Sequence, residues 1–264
     1  MATAKLSTKS VGDIVKLKFN GVRTNFIVVH QGIPSTSIYD SSCNGTWLLM
    51  ENLYGEAKGW GTNGGDYTSS YMYSTSSSSG FQKSFLNGFE EDVKNNIKSV
   101  KIPYVKKTES GTSELATGSN GCSTKAFSLS IFELGNPSSY CSVEGAVLDY
   151  FKTDAKNRRI AKLNGTARDY WTRSTSDGLT SRYSVGSKGE VNAYANSNKW
   201  YVRPAFILPN TFEVEEIEAA IIGNITIGST TKELTGEGYV NIGGVSKSIV
   251  ETYNCIDGIW KQST

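Results

Sequence analysis

Apolar residues in this chain arrive in short runs, and glycine or asparagine punctuates nearly every one. The first two runs set the pattern. Asp13–Phe19 carries Ile14, Val15, Leu17 and Phe19, and Thr24–His30 carries Phe26, Ile27, Val28 and Val29. Asn20-Gly21 stands between them. Asn-Gly suits the left-handed backbone of a tight two-residue turn, so the segment predicts a β-hairpin. Other runs of strand type are Thr46–Met50, Lys125–Leu134, Ala167–Ser174, Ser181–Val185, Glu190–Tyr194 and Tyr201–Leu208, with turns at Asp177-Gly178 and Lys188-Gly189. One stretch has a different period. Phe85, Phe89, Val93 and Ile97 recur every four residues, while Glu90, Glu91, Asp92, Lys94 and Lys98 lie off that line. This predicts a helix with one apolar stripe. Glu144–Phe151 reads as a second, shorter helix. Gly55–Gly80 reads as a long ordered loop or short broken helices, and residues 106–124 as a polar surface excursion. Many short strands with few helices make an α+β chain.

After Pro209 the pattern changes. A short segment, Glu213–Ile222, precedes three similar units that begin at Ile227, Ile242 and Ile256 and end at Lys232, Lys247 and Lys261. The isoleucines are 15 and 14 residues apart, and so are the lysines. Each unit reads as strand, Gly-containing turn, strand. Three hairpins bury little by themselves, so this piece is expected to pack on the first domain or on a partner chain. The expected division is a domain over 1–209 and a hairpin module over 213–264.

Composition removes several functions. Lysine and arginine number 27 against 25 acids, a net charge of +2, which gives no footprint for nucleic acid or an anionic membrane. No run approaches 18 apolar residues, so no membrane span is expected. The first seven residues lack the apolar segment of a secretory signal, so synthesis in a bacterial cytoplasm is expected. A single histidine, His30, excludes multi-histidine metal sites and leaves little for acid–base chemistry near neutrality. It reads as structural. Cys43, Cys122, Cys141 and Cys255 have no C-x-x-C spacing and read as small buried or half-buried thiols, a Cys122–Cys141 bridge belonging only to an oxidising setting. Asp40, Glu51, Asp66, Glu133, Glu144, Asp149 and Asp154 could pair as glycosidase carboxylates, but their spacing is unspecific and they read as solvated acids. Gly59–Gly65 lacks the spacing of a phosphate loop, and neither G-x-S-x-G nor an EF-hand pattern occurs. No catalytic residue, metal or cofactor is expected.

A different constellation remains. Trp171-Thr172-Arg173-Ser174 and Tyr201-Val202-Arg203-Pro204-Ala205 each place an aromatic near an arginine, as buried cation–π or bidentate contacts require. Between them the chain is rich in Ser, Asn, Tyr and Lys. It reads either as a solvated loop pair or as a recognition surface displaying Arg182, Tyr183, Asn192, Tyr194, Asn196, Asn198 and Trp200. The frame beneath would include His30, Asp40, Trp47, Trp171, Arg173 and Arg203. Phe26, Trp47, Phe85, Phe89, Phe127, Trp171 and Phe206 read as core. Tyr183, Tyr194, Trp60, Tyr67, Tyr71 and Trp200 read as surface.

Seven ordered segments resemble an uncharacterised domain family common in gut Gram-positive bacteria and their phages. They are Phe26–Gly32 (FIVVHQG), Tyr39–Leu49 (YDSSCNGTWLL), Val100–Tyr104 (VKIPY), Glu144–Phe151 (EGAVLDYF), Arg159–Gly165 (RIAKLNG), Trp171–Ser174 (WTRS) and Val202–Leu208 (VRPAFIL). The resemblance covers about residues 10–209. The family usually has Leu at the position of Thr172, and it brings no assigned catalytic residues. The WTRS and VRPA segments are also similar to the end of C-type-lectin-like folds, including the formylglycine-generating and retroelement-diversified groups. The enzymes of the first group use a cysteine pair, absent from residues 175–208, which leaves the scaffold. The second group displays a variable loop on a fixed frame. The calcium triplets of sugar-binding C-type lectins are absent. Tyr253–Lys261 is similar to short β-modules that end many phage tail, fibre and head-associated proteins.

These resemblances imply a non-enzymatic virion protein. A C-type-lectin-like domain would be exposed for attachment or head decoration, and the C-terminal module would anchor it to the particle. Its partners would be other virion proteins, sister copies in an oligomer or symmetric array, and a host-surface glycan or protein. A carbohydrate- or protein-binding module outside a particle is the alternative, and a cell-wall-degrading enzyme a third reading.

Overall fold

The computed structural model describes residues 3–61, 64–73, 80–176 and 179–216, and the backbone of six strands between 221 and 262. The chain divides into one compact unit over Ala4–Val214 and another comprising Met1–Thr3 with Glu215–Thr264. The described residues are mostly short strands, with three short α-helices.

Ten strands of the larger unit build two five-stranded sheets. They are β1 (Ile14–Phe19), β2 (Val22–Gln31), β3 (Thr46–Met50), β4 (Tyr54–Lys58), β5 (Ala126–Ser128), β6 (Tyr170–Thr175), β7 (Arg182–Val185), β8 (Val191–Tyr194), β9 (Trp200–Val202) and β10 (Pro204–Leu208). The first sheet has the order β5-β10-β3-β2-β1 and is antiparallel throughout. The second has the order β8-β7-β6-β9-β4, with β6 and β9 parallel.

The β1–β2 hairpin closes with Phe19 opposite Val22. Asn20 and Gly21 both have positive φ, 50° and 77°, as a tight primed turn requires. On β1 the residues Val15, Leu17 and Phe19 are buried while Ile14 and Lys18 are exposed, the alternation of an edge strand with one covered face. Every residue of β3 and β10 is buried, as befits strands covered on both faces.

The four-residue stripe is buried at all four positions, but it does not lie on one helix. It is split between α1 (Phe81–Asn87) and α2 (Glu91–Asn96). The β1–β2 turn docks at the break. The Asn20 N–H donates to the Gly88 carbonyl at 2.6 Å, and Phe89 forms a bridge with Phe19. A methyl on Gly88 would lie 2.5 Å from the Phe19 ring. The Phe19–Phe89, Phe85–Phe89, Phe89–Phe206 and Phe26–Phe206 rings stand 5.0 to 5.3 Å apart, and such pairs add about 0.5–1.5 kcal/mol each beyond their burial.

Other elements depart from expectation. Lys125–Leu134 yields only β5, because the chain turns at Ser130, where the Ser130 N–H and the Glu133 carboxylate bond each other. Glu144–Phe151 keeps only a 3₁₀ turn at Asp149–Phe151, and a short helix, α3 (Ala155–Arg159), follows. β4 forms inside Gly55–Gly80, and residues 106–124 include parts of two small two-stranded sheets. The turn expected at Asp177-Gly178 lies outside the described residues.

Tyr201–Leu208 is two strands, not one, and they belong to different sheets. The break falls at Arg203-Pro204. Proline has no N–H to continue a ladder, and the Arg203 side chain binds main-chain carbonyls instead. Its Nε donates to the Met50 carbonyl at 3.1 Å and its Nη2 to the Glu51 carbonyl at 3.3 Å. Met50 and Glu51 lie where the chain passes from β3 in the first sheet to β4 in the second. One side chain thus fastens two of the crossings between the sheets.

In the smaller unit three hairpins pair Ile221–Ile227 with Thr230–Thr235, Tyr239–Ile242 with Val245–Ser248, and Tyr253–Ile256 with Ile259–Gln262. The repeat seen in the sequence is also a repeat of register. Ile227, Ile242 and Ile256 each end a first strand, opposite Thr230, Val245 and Ile259. Lys232, Lys247 and Lys261 each sit opposite the residue two positions before that isoleucine.

Among the described residues, no helix is long and apolar enough to cross a membrane.

Candidate functional site

The interior of the larger unit is organised by arginines. Arg173, on β6, is fully buried. Its Nη1 and Nη2 meet the two Glu133 oxygens at 2.5 and 2.7 Å, and its other donors reach the carbonyls of Pro103, Ser128 and Glu144. The Tyr39 hydroxyl donates to Glu133 at 2.7 Å and accepts from the Ala146 N–H. Burial works against charge on Arg173, but Glu133 overcomes it and holds the guanidinium protonated. Burial, reinforced by Glu133, pushes the Tyr39 phenol well up. Glu144 accepts from the Val105 N–H, and burial pushes its carboxyl up to about 7 against the pull of Arg173. Glu133 and Glu144 are therefore not solvated acids, and Asp66 is buried as well. A buried guanidinium needs carboxylates within reach, which is the signal in WTRS that points to them.

Arg182 and Tyr183 also belong to the interior, at 1% and 6% exposure, and not to a displayed surface. All four residues of β7 are buried, because the strand lies inside the second sheet and is covered. The Arg182 guanidinium sits 4.4 Å from the Trp60 ring centroid and donates to the carbonyls of Leu179, Ser181 and Gly65. Trp60 and Tyr67, expected on the surface, are fully buried, and the Trp60 Nε1 donates to the Thr172 carbonyl. Tyr71 is half-buried against Phe81.

The remaining frame residues hold loops. The Trp47 indole donates to the carbonyls of Gly32 and Cys43, and the Trp171 indole to that of Lys58. Asp40 caps a 3₁₀ turn by accepting from the Ser42 N–H. His30 places Nδ1 2.8 Å from the Asp149 carboxylate, and burial keeps its pKa below the usual value although Asp149 opposes this. Cys43 and Cys122 are buried free thiols, each pushed up to about 12 by burial. A Cys122–Cys141 bridge is therefore not formed.

Four of the seven residues expected to bind ligand do come together. β8 runs through Tyr194 into a turn that re-enters the sheet at Trp200. The Trp200 ring lies 4.3 Å from the buried Trp171 ring and 4.6 Å from Tyr194, which is 39% exposed. The turn is tied down. Asn196 donates to the Gly61 carbonyl, its own carbonyl accepts from the Trp60 N–H, and the Asn198 side chain donates to the Ala195 carbonyl. Asn192 is half-buried on β8, opposite Ser184. The turn thus carries an exposed Tyr194 beside a half-buried Trp200, suited to stacking against a sugar ring or a partner side chain. Among the described residues no three His, Cys, Asp or Glu side chains stand close enough to hold a metal ion.

No curated protein and no solved structure matches the chain. One family model does match, over residues 44–210, from β3 to β10. β1 and β2 precede the matched segment yet complete its first sheet. The chain belongs to the family described as a domain of unknown function, DUF6273.

Proposed function

We propose that this protein is a non-enzymatic display protein of a phage particle, on the head or the tail. In this reading the unit over Ala4–Val214 is a lectin-like scaffold that presents the Tyr194–Trp200 turn, and the three hairpins attach it to neighbouring virion proteins or sister copies. The observation that carries the reading is the hairpin repeat. It keeps one register through three copies and forms a compact unit separate from the scaffold. The first two hairpins already pair edge to edge into one four-stranded sheet, and a repeat that adds to itself in this way can add to a neighbouring chain as well. The use of Arg173, Glu133, Tyr39 and Arg182 in interior bonds also favours a scaffold. Mass spectrometry of purified particles tests the proposal: peptides of this chain are expected among the structural proteins, and their absence sinks it.

A second reading is a glycan- or protein-binding module outside any particle, and the exposed Tyr194 beside the half-buried Trp200 favours it. A glycan array probed with wild type and a Tyr194→Ala/Trp200→Ala variant separates the two. Binding lost in the variant supports recognition through this turn.

A further inference from the structure

Arg173 has carboxylates around it, whereas the buried Arg159, Arg182 and Arg203 bond main-chain carbonyls instead. Arg203 is 3% exposed, and its guanidinium bonds the neutral carbonyls of Met50, Glu51, Arg158 and Arg159 and meets the Tyr170 hydroxyl. It makes no ion pair among the described residues. A charge buried this way ordinarily has a counter-ion. Arg203 lines a cleft of about 380 Å³, a volume that suits a small ligand.

The walls of that cleft add to its positive charge. Arg158 donates to the Tyr150 carbonyl, and its guanidinium lies 4.6 Å from the Tyr150 ring centroid. Lys162 is exposed at the rim. Neither side chain makes an ion pair among the described residues. The cleft holds one carboxylate, Glu51, which accepts from the Asn25 side chain at 3.0 Å. Three cations thus face one acid, in a chain whose overall charge is only +2. Between the charges stand the flat Arg158–Tyr150 stack and the exposed Asn52 and Asn157 amides, of which Asn157 also bonds Asp154. Paired donors and acceptors beside a flat face suit hydroxyl groups on a ring, and convergent cations suit an acid.

We infer that this cleft binds an anionic saccharide, a sugar unit carrying a carboxylate or a phosphate. Lys162 and Arg158 meet the acid, Asn52, Asn157 and Glu51 meet hydroxyls, and the Arg203 charge supports the anion from the floor. The inference goes beyond the particle reading and does not depend on it, since the cleft shares no residue with the Tyr194–Trp200 turn.

The test is a titration of the full chain, followed by NMR or calorimetry, with glucuronate, glucose 6-phosphate, glucose and inorganic phosphate as separate probes. Binding of glucuronate or glucose 6-phosphate is expected, stronger than that of glucose or of inorganic phosphate. The tighter of the two names the acid as carboxylate or phosphate. Lys162→Gln and Arg158→Gln are each expected to weaken it about tenfold, and added salt to weaken it further. The Lys162 side chain is exposed and makes no hydrogen bond or ion pair among the described residues, so its variant keeps the fold. The inference is overturned if neither acidic sugar binds, if glucose or phosphate alone binds as well, or if Lys162→Gln binds like wild type.

Discussion

Arg173 and Glu133 meet as a two-pronged ion pair, 2.5 and 2.7 Å long, with neither side chain reaching solvent. The pair ties β6 to the turn that follows β5, and so joins the two sheets. Removing one partner leaves the other charged and buried. Glu133→Gln and Arg173→Met are each expected to destabilise the protein by about 3–5 kcal/mol in denaturant titrations. Arg173→Lys is also expected to destabilise it, since an ammonium cannot reproduce the fork.

Glu144 makes stability depend on pH. Its carboxyl is raised from an ordinary 4.5 to about 7, so between these values the folded protein holds a proton that the unfolded chain has lost. This contribution is complete below about pH 4.5 and is lost as pH rises through about 7. The window corresponds to about 3 kcal/mol. Glu144→Gln keeps an acceptor for the Val105 N–H and removes the titration. Its denaturation profile is expected to be flatter than wild type between pH 4.5 and about 7, with the variant gaining on wild type as pH rises. Parallel profiles would show that Glu144 does not titrate there.

Parts of this architecture were readable from residue types alone. Asn20-Gly21 demanded a turn with two positive φ values, and the structure has them. The fifteen- and fourteen-residue repeat located three hairpins because a two-residue link fixes register locally. The stripe from Phe85 to Ile97 identified four buried residues but not the break between them, which is imposed by Phe19, a residue far away in the chain. Glu133, Glu144, Arg182 and Tyr183 were misplaced for the same reason. Polar side chains go inside only when distant partners satisfy them, and periodicity does not record distant partners. The Tyr194–Trp200 turn was legible because its Tyr194–Trp200 ring contact and its Asn198–Ala195 bond are local.

Gly88 carries the helix break, so Gly88→Ala tests it. The new methyl meets the Phe19 ring at 2.5 Å, and the expected loss is about 1–3 kcal/mol, although alanine favours helices. A neutral or stabilising effect in thermal melts would mean that the hairpin does not seat there.

The thiols provide a probe of the folded state. Cys43 and Cys122 are buried, with pKa values near 12, so at pH 8 they are expected to resist a maleimide in the native protein and to react in urea. Peptide mapping of the labelled sites checks this. Fast native labelling at either position would contradict the packing around them.

The most direct test of the display reading is quantitative mass spectrometry of purified particles from a lysate that also contains the free chain. The account predicts that this chain co-purifies with the structural proteins at a fixed ratio through successive density gradients. Its presence in the lysate and absence from the particles would contradict the account.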